Sequence, residues 1–347
     1  MTEELVDPAA LAKYLAAEAP EFAGDLTVER IGEGQSCLTF LVAGDGWRVV
    51  LRRPPRGDLP PSAFDVTREY RVMRALDDHK APVPVPRPIA LCEDKDVIGA
   101  PFYLMESVDG VVIRDALPDA LSSFEDRARM SYALIDTLVG LHAVDYAAVD
   151  LASFGKPAGY LDRQLRRMNQ LWELARFREQ PDIEAVGEWL AANVPEQVDA
   201  SIVHGDFKLD NVILAPTSPA TLIAVVDWEM STLGDPLADV GWLLYFWLQS
   251  GDEKFRGPGA GAVTDLEGFP GRADLLRRYA ERSGRDVRGI DWYIAMAGWK
   301  IAIIMEGSYR RYLGGVTDHP TFARLEEGVP ALARRAAMAM RGELSLR

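Results

Sequence analysis

The chain has 347 residues, of which 48% are hydrophobic and 26% charged, a composition typical of a folded globular protein of about two domains. With 38 basic and 53 acidic residues, the formal net charge is −15, which disfavours binding to DNA or to an anionic membrane surface. Two cysteines are too few for a disulfide framework, and we find neither a signal peptide nor a membrane-spanning apolar run. We therefore expect a cytoplasmic protein that binds neither nucleic acid nor membranes, and its oligomeric state stays open.

The first third of the chain is predicted to be rich in strands. Asp7, Pro8 and the alanine-rich stretch after them predict a helix that ends near Pro20. Short β-rich runs alternate with glycine-rich or proline-rich turns, and they predict strands over 26–31, 37–43, 47–53, 88–93 and 101–107. The spacing of apolar residues over 63–78 predicts a helix between the third and fourth strands. These segments together predict a five-stranded antiparallel sheet that carries one internal helix.

The rest of the chain is predicted to be mainly helical. The predicted helices cover residues 122–143, 160–179, 183–193, 236–249, 271–283, 290–313 and 322–340. One β-rich insert, residues 201–229, interrupts them. The expected fold is therefore α+β and has two lobes, residues 1–107 and residues 108–347, with a ligand-binding cleft between them.

The most informative motif is HGDFKLDN at 204–211, followed sixteen residues later by DWE at 227–229. Apolar strands flank the first motif and lead into the second, so both are predicted to be rigidly held. Phosphoryl transfer requires a carboxylate that accepts or orients a hydroxyl proton, together with oxygen ligands for Mg²⁺. Asp206, Asn211 and Asp227 supply these groups.

These motifs resemble those of the aminoglycoside phosphotransferase family, which are small-molecule kinases with a fold like that of protein kinases. The resemblance covers about residues 25–345. More narrowly, GQS at 34–36, VLRRP at 50–54 and GDPLADVGW at 234–242 resemble the branch related to the kinase-like domains of some acyl-CoA dehydrogenases. The resemblance implies a bilobal protein-kinase-like fold, ATP or GTP as the phosphoryl donor, Mg²⁺ as the cofactor and a small-molecule hydroxyl as the acceptor.

The resemblance also implies roles for the residues of the two motifs. Asp206 would be the catalytic base, and Asn211 and Asp227 would be the metal ligands. Lys208 occupies the position of a catalytic-loop lysine and would neutralise charge on the moving phosphoryl group. His204 is expected to brace the loop by hydrogen bonding.

The nucleotide is expected to contact the first three strands. Gly34 and Ser36 lie in a turn where backbone N–H groups could approach a phosphate closely. Alternation along the third strand places Val50 and Arg52 on one face, with Val50 against the adenine and Arg52 toward the α and β phosphates. Glu69, in the internal helix, is the expected ion-pair partner of Arg52.

Four further residues receive roles where the lobes meet and in the helical lobe. The resemblance implies that backbone groups of Glu106 and Val108 hydrogen-bond the edge of the purine. Asp235 is expected to cap the next helix, with Pro236 at its first position. The resemblance implies that Asp239 supports the catalytic loop, which is a structural role.

Two alternatives to an active kinase stay open. A nucleotide-binding scaffold without activity is favoured by Arg52 where kinases usually have lysine, by Cys37 where a third glycine is usual, and by Glu229 where a glycine usually follows the metal-binding aspartate. A zinc hydrolase would use His204, Asp206 and Asp227 as ligands.

The acceptor is expected to be small, because only eight residues separate Asp227 from Pro236, too few for a peptide-docking segment. A hydroxyacyl compound is preferred over an aminoglycoside, since acidic clusters near the C-terminus are limited to Glu326 and Glu327. The predicted helices carry aromatic residues that either line this acceptor pocket or belong to the core: Tyr160, Trp172, Trp242, Tyr245, Trp247, Trp292 and Trp299.

Overall fold

The computed structural model describes residues 5–32, 37–55, 65–197, 199–254, 263–316 and 320–344. The α-helices in these ranges are α1 (Pro8–Glu18), α2 (Val66–Asp78), α3 (Lys95–Ile98), α4 (Phe124–His142), α5 (Tyr160–Ala175), α6 (Pro181–Ala192), α7 (Leu237–Phe246), α8 (Arg272–Ser283), α9 (Ile290–Leu313) and α10 (Leu325–Met340). The strands are β1 (Thr27–Ile31), β2 (Leu38–Gly44), β3 (Trp47–Arg53), β4 (Pro88–Cys92), β5 (Phe102–Glu106), β6 (Ser201–Val203), β7 (Val212–Leu214), β8 (Leu222–Val225) and β9 (Thr232–Gly234).

The predicted five-stranded sheet is confirmed, with strand order β1-β2-β3-β5-β4 and antiparallel pairing throughout. Helices cover both of its faces. Leu51 packs in one cluster with Leu15 of α1, whereas Val50 packs in another with Val72 of α2. Burying a side chain such as Leu51 contributes about 1.5–3 kcal/mol. Because side chains alternate along β3, Arg52 lies on the α2 side of the sheet and its neighbour, Arg53, lies on the α1 side.

The Arg53 side chain is almost fully buried. Its guanidinium donates to the backbone carbonyls of Leu5 and Ile98, the latter over 3.0 Å. The two consecutive arginines therefore point to opposite faces, as the alternation predicted.

The helical part of the chain is built around α9, which contacts α5, α6, α7 and α10. Every residue of α7 is buried, and the Tyr245 hydroxyl donates to the carbonyl of Leu332 in α10 over 2.8 Å. This packing fixes α7, whose Asp239 and Trp242 contact the segment 204–206. The predicted β-rich insert is confirmed as three strands, β6, β7 and β8.

The sequence-based prediction was wrong at several helix ends. α5 ends at Ala175 instead of 179, because Arg178 turns back to form an ion pair with Glu306 of α9 over 2.9 Å. α7 ends at Phe246, and its next residue, Trp247, is extended. α3 and β9 were not predicted at all. The lobe boundary between residues 107 and 108 stays a prediction.

The close contact between α7 and α9 leads to a stability prediction. A Cβ atom at Gly241 would lie 2.6 Å from the backbone carbonyl carbon of Tyr293, so Gly241→Ala forces two helices apart. We expect the free energy of unfolding to fall by about 1–3 kcal/mol, measured by urea denaturation. Gly307→Ala in α9 is the control, because its Cβ would meet Ala175 at an ordinary 3.5 Å. An equal loss of stability in both variants would contradict this explanation.

Candidate active site

A rigid loop, residues 204–211, joins β6 to β7. β6 pairs with β9 and β7 pairs with β8, so a two-stranded ladder holds each end of the loop. Gly205 has φ of +87°, and a Cβ there would lie 2.6 Å from the carbonyl oxygen of Met230. Only glycine fits this position without strain.

His204 and Asp239 fix the backbone of the loop. The amide N–H groups of His204 and Gly205 donate to the Asp239 carboxylate over 2.7 and 2.8 Å. The buried His204 ring accepts from the amide of Asp206 through Nδ1 and donates to the carbonyl of Val226 through Nε2, over 3.2 and 3.0 Å. Both ring nitrogens are therefore engaged with the backbone, and the bracing role expected for His204 matches this geometry.

The zinc alternative does not match the structure. Among the described residues, His204, Asp206 and Asp227 do not bring ligand atoms within reach of one ion. The imidazole nitrogens that zinc would need already bond to the backbone.

The Asp206 carboxylate is oriented by three neighbours. Trp242 of α7 donates its indole N–H to Oδ1 over 2.7 Å, and the amide nitrogen of Asn211 donates to Oδ2 over 2.8 Å. The Lys208 ammonium lies 3.3 Å from Oδ1. The Asp206 side chain is 18% exposed, so a hydroxyl group can still reach it.

Lys208 lies between two carboxylates. Its ammonium is 3.3 Å from Asp206 and 3.5 Å from Asp210, and it lies 5.3 Å from the ring centroid of Phe246. Burial by itself would lower the pKa of Lys208, but the two carboxylates outweigh it and raise the pKa above its usual range. The lysine is therefore cationic at neutral pH.

Asp227 follows β8 in the left-handed region, with φ of 68° and ψ of 57°. The next residue, Trp228, is fully buried, packs against the His204 ring with 4.6 Å between ring centroids and donates its indole N–H to the carbonyl of Val225. This anchor turns the Asp227 side chain toward β3, where its Oδ1 accepts a hydrogen bond from Arg52 over 3.0 Å.

Asn211 and Asp227 each offer a side-chain oxygen of the kind that suits a magnesium ion. The amide nitrogen of Asn211 donates to the backbone carbonyl and the carboxylate of Asp206, both over 2.8 Å, which leaves its side-chain oxygen as an acceptor. Asp227 uses one carboxylate oxygen for Arg52, and its side chain is 30% exposed. Amide and carboxylate oxygens are the hard ligands that Mg²⁺ prefers.

A buried ion pair connects β3 to α2. The Nε atom of Arg52 lies 3.2 Å from Oε2 of Glu69, which also accepts from the Tyr103 hydroxyl over 2.9 Å. Glu69 is fully buried, and burial raises the pKa of its carboxyl group while the charge of Arg52 opposes that rise. Val50 lies two residues before Arg52 on the same face of the sheet.

For the other residues expected to bind nucleotide, the structure gives only part of the geometry. Gly34 and Ser36 lie outside the described residues. The amide N–H of Glu106 donates to the carbonyl of Arg87 over 2.9 Å, so this amide is not free to bind a purine. The roles of the Glu106 carbonyl and of Val108, two residues beyond β5, stay predictions.

Most of the aromatic residues proposed for an acceptor pocket belong to the core. Trp247, Trp292 and Trp299 are buried and donate to backbone carbonyls away from the loop. Trp242 instead contacts Asp206, and Tyr160 lines a cavity beside β9. The sequence analysis did not single out Lys300 of α9, a buried lysine 5.4 Å from the Trp242 ring centroid.

Comparison with known proteins decides the family. Residues 27–275 match the family described as "Phosphotransferase enzyme family". The chain belongs to this phosphotransferase family. Over 341 residues it is 36% identical to acyl-CoA dehydrogenase family member 11 of Gallus gallus, covering 95% of this chain and 43% of that protein. The chain therefore spans less than half the length of this relative.

Two solved structures share the fold of this chain. A putative aminoglycoside phosphotransferase from Ralstonia eutropha is 33% identical with a TM-score of 0.81, covering 96% of this chain and 98% of that one. An aminoglycoside phosphotransferase mutant in a ternary complex with AMP-PNP and hygromycin B has a TM-score of 0.60 at 17% identity, covering 96% and 98%. The predicted bilobal protein-kinase-like fold is confirmed. The resemblances to aminoglycoside phosphotransferases and to acyl-CoA dehydrogenase family members are confirmed as well. None of the helices in the described ranges is both long and apolar enough to span a bilayer.

The contact between Trp242 and Asp206 leads to a prediction for phosphoryl transfer. Trp242→Phe removes one hydrogen bond to the Asp206 carboxylate, and we expect kcat for phosphoryl transfer to fall about tenfold, with nucleotide affinity unchanged. Trp292→Phe is the control, because it removes a similar buried bond to the carbonyl of Leu190. Equal kcat values for the two variants, measured in one transfer assay, would contradict an orienting role for Trp242.

Proposed function

We propose that this phosphotransferase moves the γ-phosphoryl group of ATP or GTP to a hydroxyl group of a small molecule, and that the acceptor is a hydroxyacyl compound. The observation that carries the proposal is the Asp206 carboxylate, which Trp242, Asn211 and Lys208 orient at a partly exposed position. A carboxylate held in this way is suited to accept a proton from an acceptor hydroxyl.

In the proposed reaction, the acceptor oxygen forms a bond to the γ-phosphorus and the bond from that phosphorus to the bridging oxygen of the diphosphate breaks. Asp206 takes the hydroxyl proton, and ADP or GDP leaves with the electron pair of the broken bond. Lys208, 3.3 Å from Asp206, neutralises negative charge on the phosphoryl group as it moves. Bound Mg²⁺, held by Asn211 and Asp227, would neutralise phosphate charge.

The proposed nucleotide site lies on the α2 face of β3. Val50 would contact the base, and Arg52 would reach the α and β phosphates while Glu69 holds it in place. Arginine keeps the positive charge of the usual lysine and adds a second donor for bidentate binding. Gly34 and Ser36 are expected to contribute donors to the phosphates.

A small acceptor is favoured by the segment after Asp227. Residues Trp228–Met230 form one 3₁₀ turn, and Thr232–Gly234 pairs directly with β6. The backbone of Thr232–Gly234 is thus already paired with β6 and is not available to bind a peptide substrate. The similarity to acyl-CoA dehydrogenase family member 11 favours an acyl group on the acceptor, whereas the solved complex with hygromycin B concerns a more distant protein.

One contact favours the second candidate function, a scaffold that binds nucleotide without catalysis. Arg52 occupies Oδ1 of Asp227 over 3.0 Å, and this ion pair competes with a metal ion for the carboxylate. If nucleotide phosphates draw Arg52 away from Asp227, this oxygen also becomes available to a metal ion. The two functions differ in whether phosphoryl transfer is seen at all.

The test is a transfer assay with γ-labelled ATP and, separately, GTP. Acceptors are hydroxyacyl compounds and aminoglycosides at equal concentration, and products are detected as labelled phosphate esters. We expect a hydroxyacyl phosphate ester from the wild-type protein. Rapid phosphorylation of the aminoglycosides would overturn the acceptor class, and nucleotide binding without any transfer would favour the scaffold.

A further inference from the structure

A basic cavity of about 560 Å³ lies between the start of α5 and β9, near the catalytic loop. Tyr160 at the start of α5 and Thr232 of β9 belong to its wall. Thr232 pairs with Val203, the residue immediately before the catalytic loop 204–211. The cavity is within the size range of small-molecule sites, and through Thr232 its wall adjoins β6, the strand that leads into the loop with Asp206.

Four cations line this cavity: Lys156, Arg163, Arg166 and Arg167. The remaining lining residues are neutral, so no carboxylate of the described chain faces these charges from the cavity wall. Arg163 and Arg166 donate to backbone carbonyls of nearby residues. None of the four forms an ion pair within the described ranges, although the whole chain carries a net charge of −15.

Lys300 extends the positive charge inward toward Asp206. It lies on α9, is only 5% exposed, and its ammonium sits 5.4 Å from the ring centroid of Trp242, whose indole bonds to Asp206. In the described part of the chain this ammonium has no hydrogen-bond or ion-pair partner. Burial lowers the pKa of Lys300 to about 8, with Asp239 and Asp206 opposing the shift and Arg167 adding to it. A buried cation without a direct anionic partner is costly, and a ligand anion would reduce that cost.

We propose that Arg167, the other cations of the cavity and Lys300 form an anion-binding subsite for the acceptor, which is therefore an alcohol that also carries a carboxylate or phosphate group. This inference rests on the proposed function, since it names the chemistry that accompanies the phosphorylated hydroxyl. Polycationic acceptors such as aminoglycosides are repelled by the same charges. Two sources of the anion are distinguishable: the carboxylate of a free hydroxy acid, and the phosphates of a hydroxyacyl-CoA thioester.

The test compares charged and neutral acceptors in steady-state transfer assays. The probes are positional isomers of hydroxyhexanoate, their CoA thioesters and the matching neutral hexanediols. Arg167→Gln removes an exposed cation without disturbing the core, and we expect it to raise KM for the anionic probes about fivefold while KM for the diols and nucleotide stays unchanged. Added salt is expected to raise KM for the anionic probes alone.

Two further variants provide a second test of the subsite and a control. Lys300→Met is expected to raise KM for the anionic probes selectively and to keep the fold, because it removes a buried charge that has no hydrogen-bond or ion-pair partner among the described residues. Arg288→Gln, an equal change of charge at a position paired with Asp286, is the control and should change no KM. The subsite is overturned if the diols are used as well as the anionic probes, or if Arg167→Gln and Arg288→Gln behave alike.

Failure of the proposed function would look different. If the wild-type protein transfers phosphate to none of the probes, calorimetric binding of the hydroxyhexanoates and their CoA thioesters still tests the subsite. Binding that is lost in Arg167→Gln supports it, and absence of binding overturns it. Tighter binding of the thioesters than of the free acids assigns the subsite to phosphates, and the reverse assigns it to the carboxylate.

Discussion

Asp206→Asn is expected to lower kcat for phosphoryl transfer by about 10²–10⁴-fold. The amide of asparagine keeps the shape of the carboxylate and an oxygen that can accept from Trp242, but it cannot take the proton of the acceptor hydroxyl. Nucleotide affinity should change little, because Asp206 lies with the catalytic loop and is not among the groups proposed to bind nucleotide or metal. The measurement is single-turnover transfer from labelled ATP or GTP.

Asp286→Asn provides the matched control, since it makes the same substitution at an exposed aspartate outside the catalytic loop, whose ion-pair partner in the described part of the chain is Arg288. The control should retain wild-type kcat. If Asp206→Asn retained kcat as well, the assignment of the catalytic base would be wrong, even though the family membership and the fold would stand.

Arg52→Met is expected to lower the free energy of unfolding by about 3–5 kcal/mol. The substitution leaves the fully buried carboxylate of Glu69 without its cation, although the Tyr103 hydroxyl and the Cys37 thiol still hydrogen-bond to it. It also removes the cation proposed to hold the nucleotide phosphates, so nucleotide affinity should fall in the same variant. Urea denaturation and calorimetric titration measure the two effects separately.

The double variant Arg52→Met/Glu69→Met separates stability from function. Replacing both members of a buried ion pair by apolar residues of similar volume is often neutral for stability, so most of the lost stability should return. Nucleotide affinity should remain low, because the cation is still absent. A double variant as unstable as Arg52→Met, or one with restored nucleotide affinity, would contradict the role given to this pair.

Parts of the site that depend on local geometry were predictable from the sequence. Strand alternation separates Arg52 from Arg53, and the structure places the first against Glu69 and the second against the carbonyl of Ile98. The spacing of Asp206 and Asn211 within one short loop brings their side chains to 2.8 Å. In both cases residues close in sequence are positioned by a regular backbone, so the pattern itself carries the information.

Contacts made by distant helices were not predictable in the same way. Every residue of α7 is buried, so no apolar stripe marks Trp242 as the residue that turns toward Asp206. Lys300 did leave a signal, a lone cation inside the apolar run WKIAII, but its neighbours come from α5, α7 and the catalytic loop. Helix α5 ended early for a similar reason, because Arg178 pairs with Glu306 from another helix.

The central claim is that Asp227 and Asn211 hold a magnesium-bound nucleotide next to Asp206. The most direct test is calorimetric titration of the protein with ATP and with GTP, each with and without Mg²⁺, since no acceptor has to be known. We expect magnesium-dependent binding of at least one nucleotide in the wild-type protein and its loss in Asp227→Ala. Absence of nucleotide binding, or binding that neither Mg²⁺ nor Asp227→Ala changes, would contradict the claim.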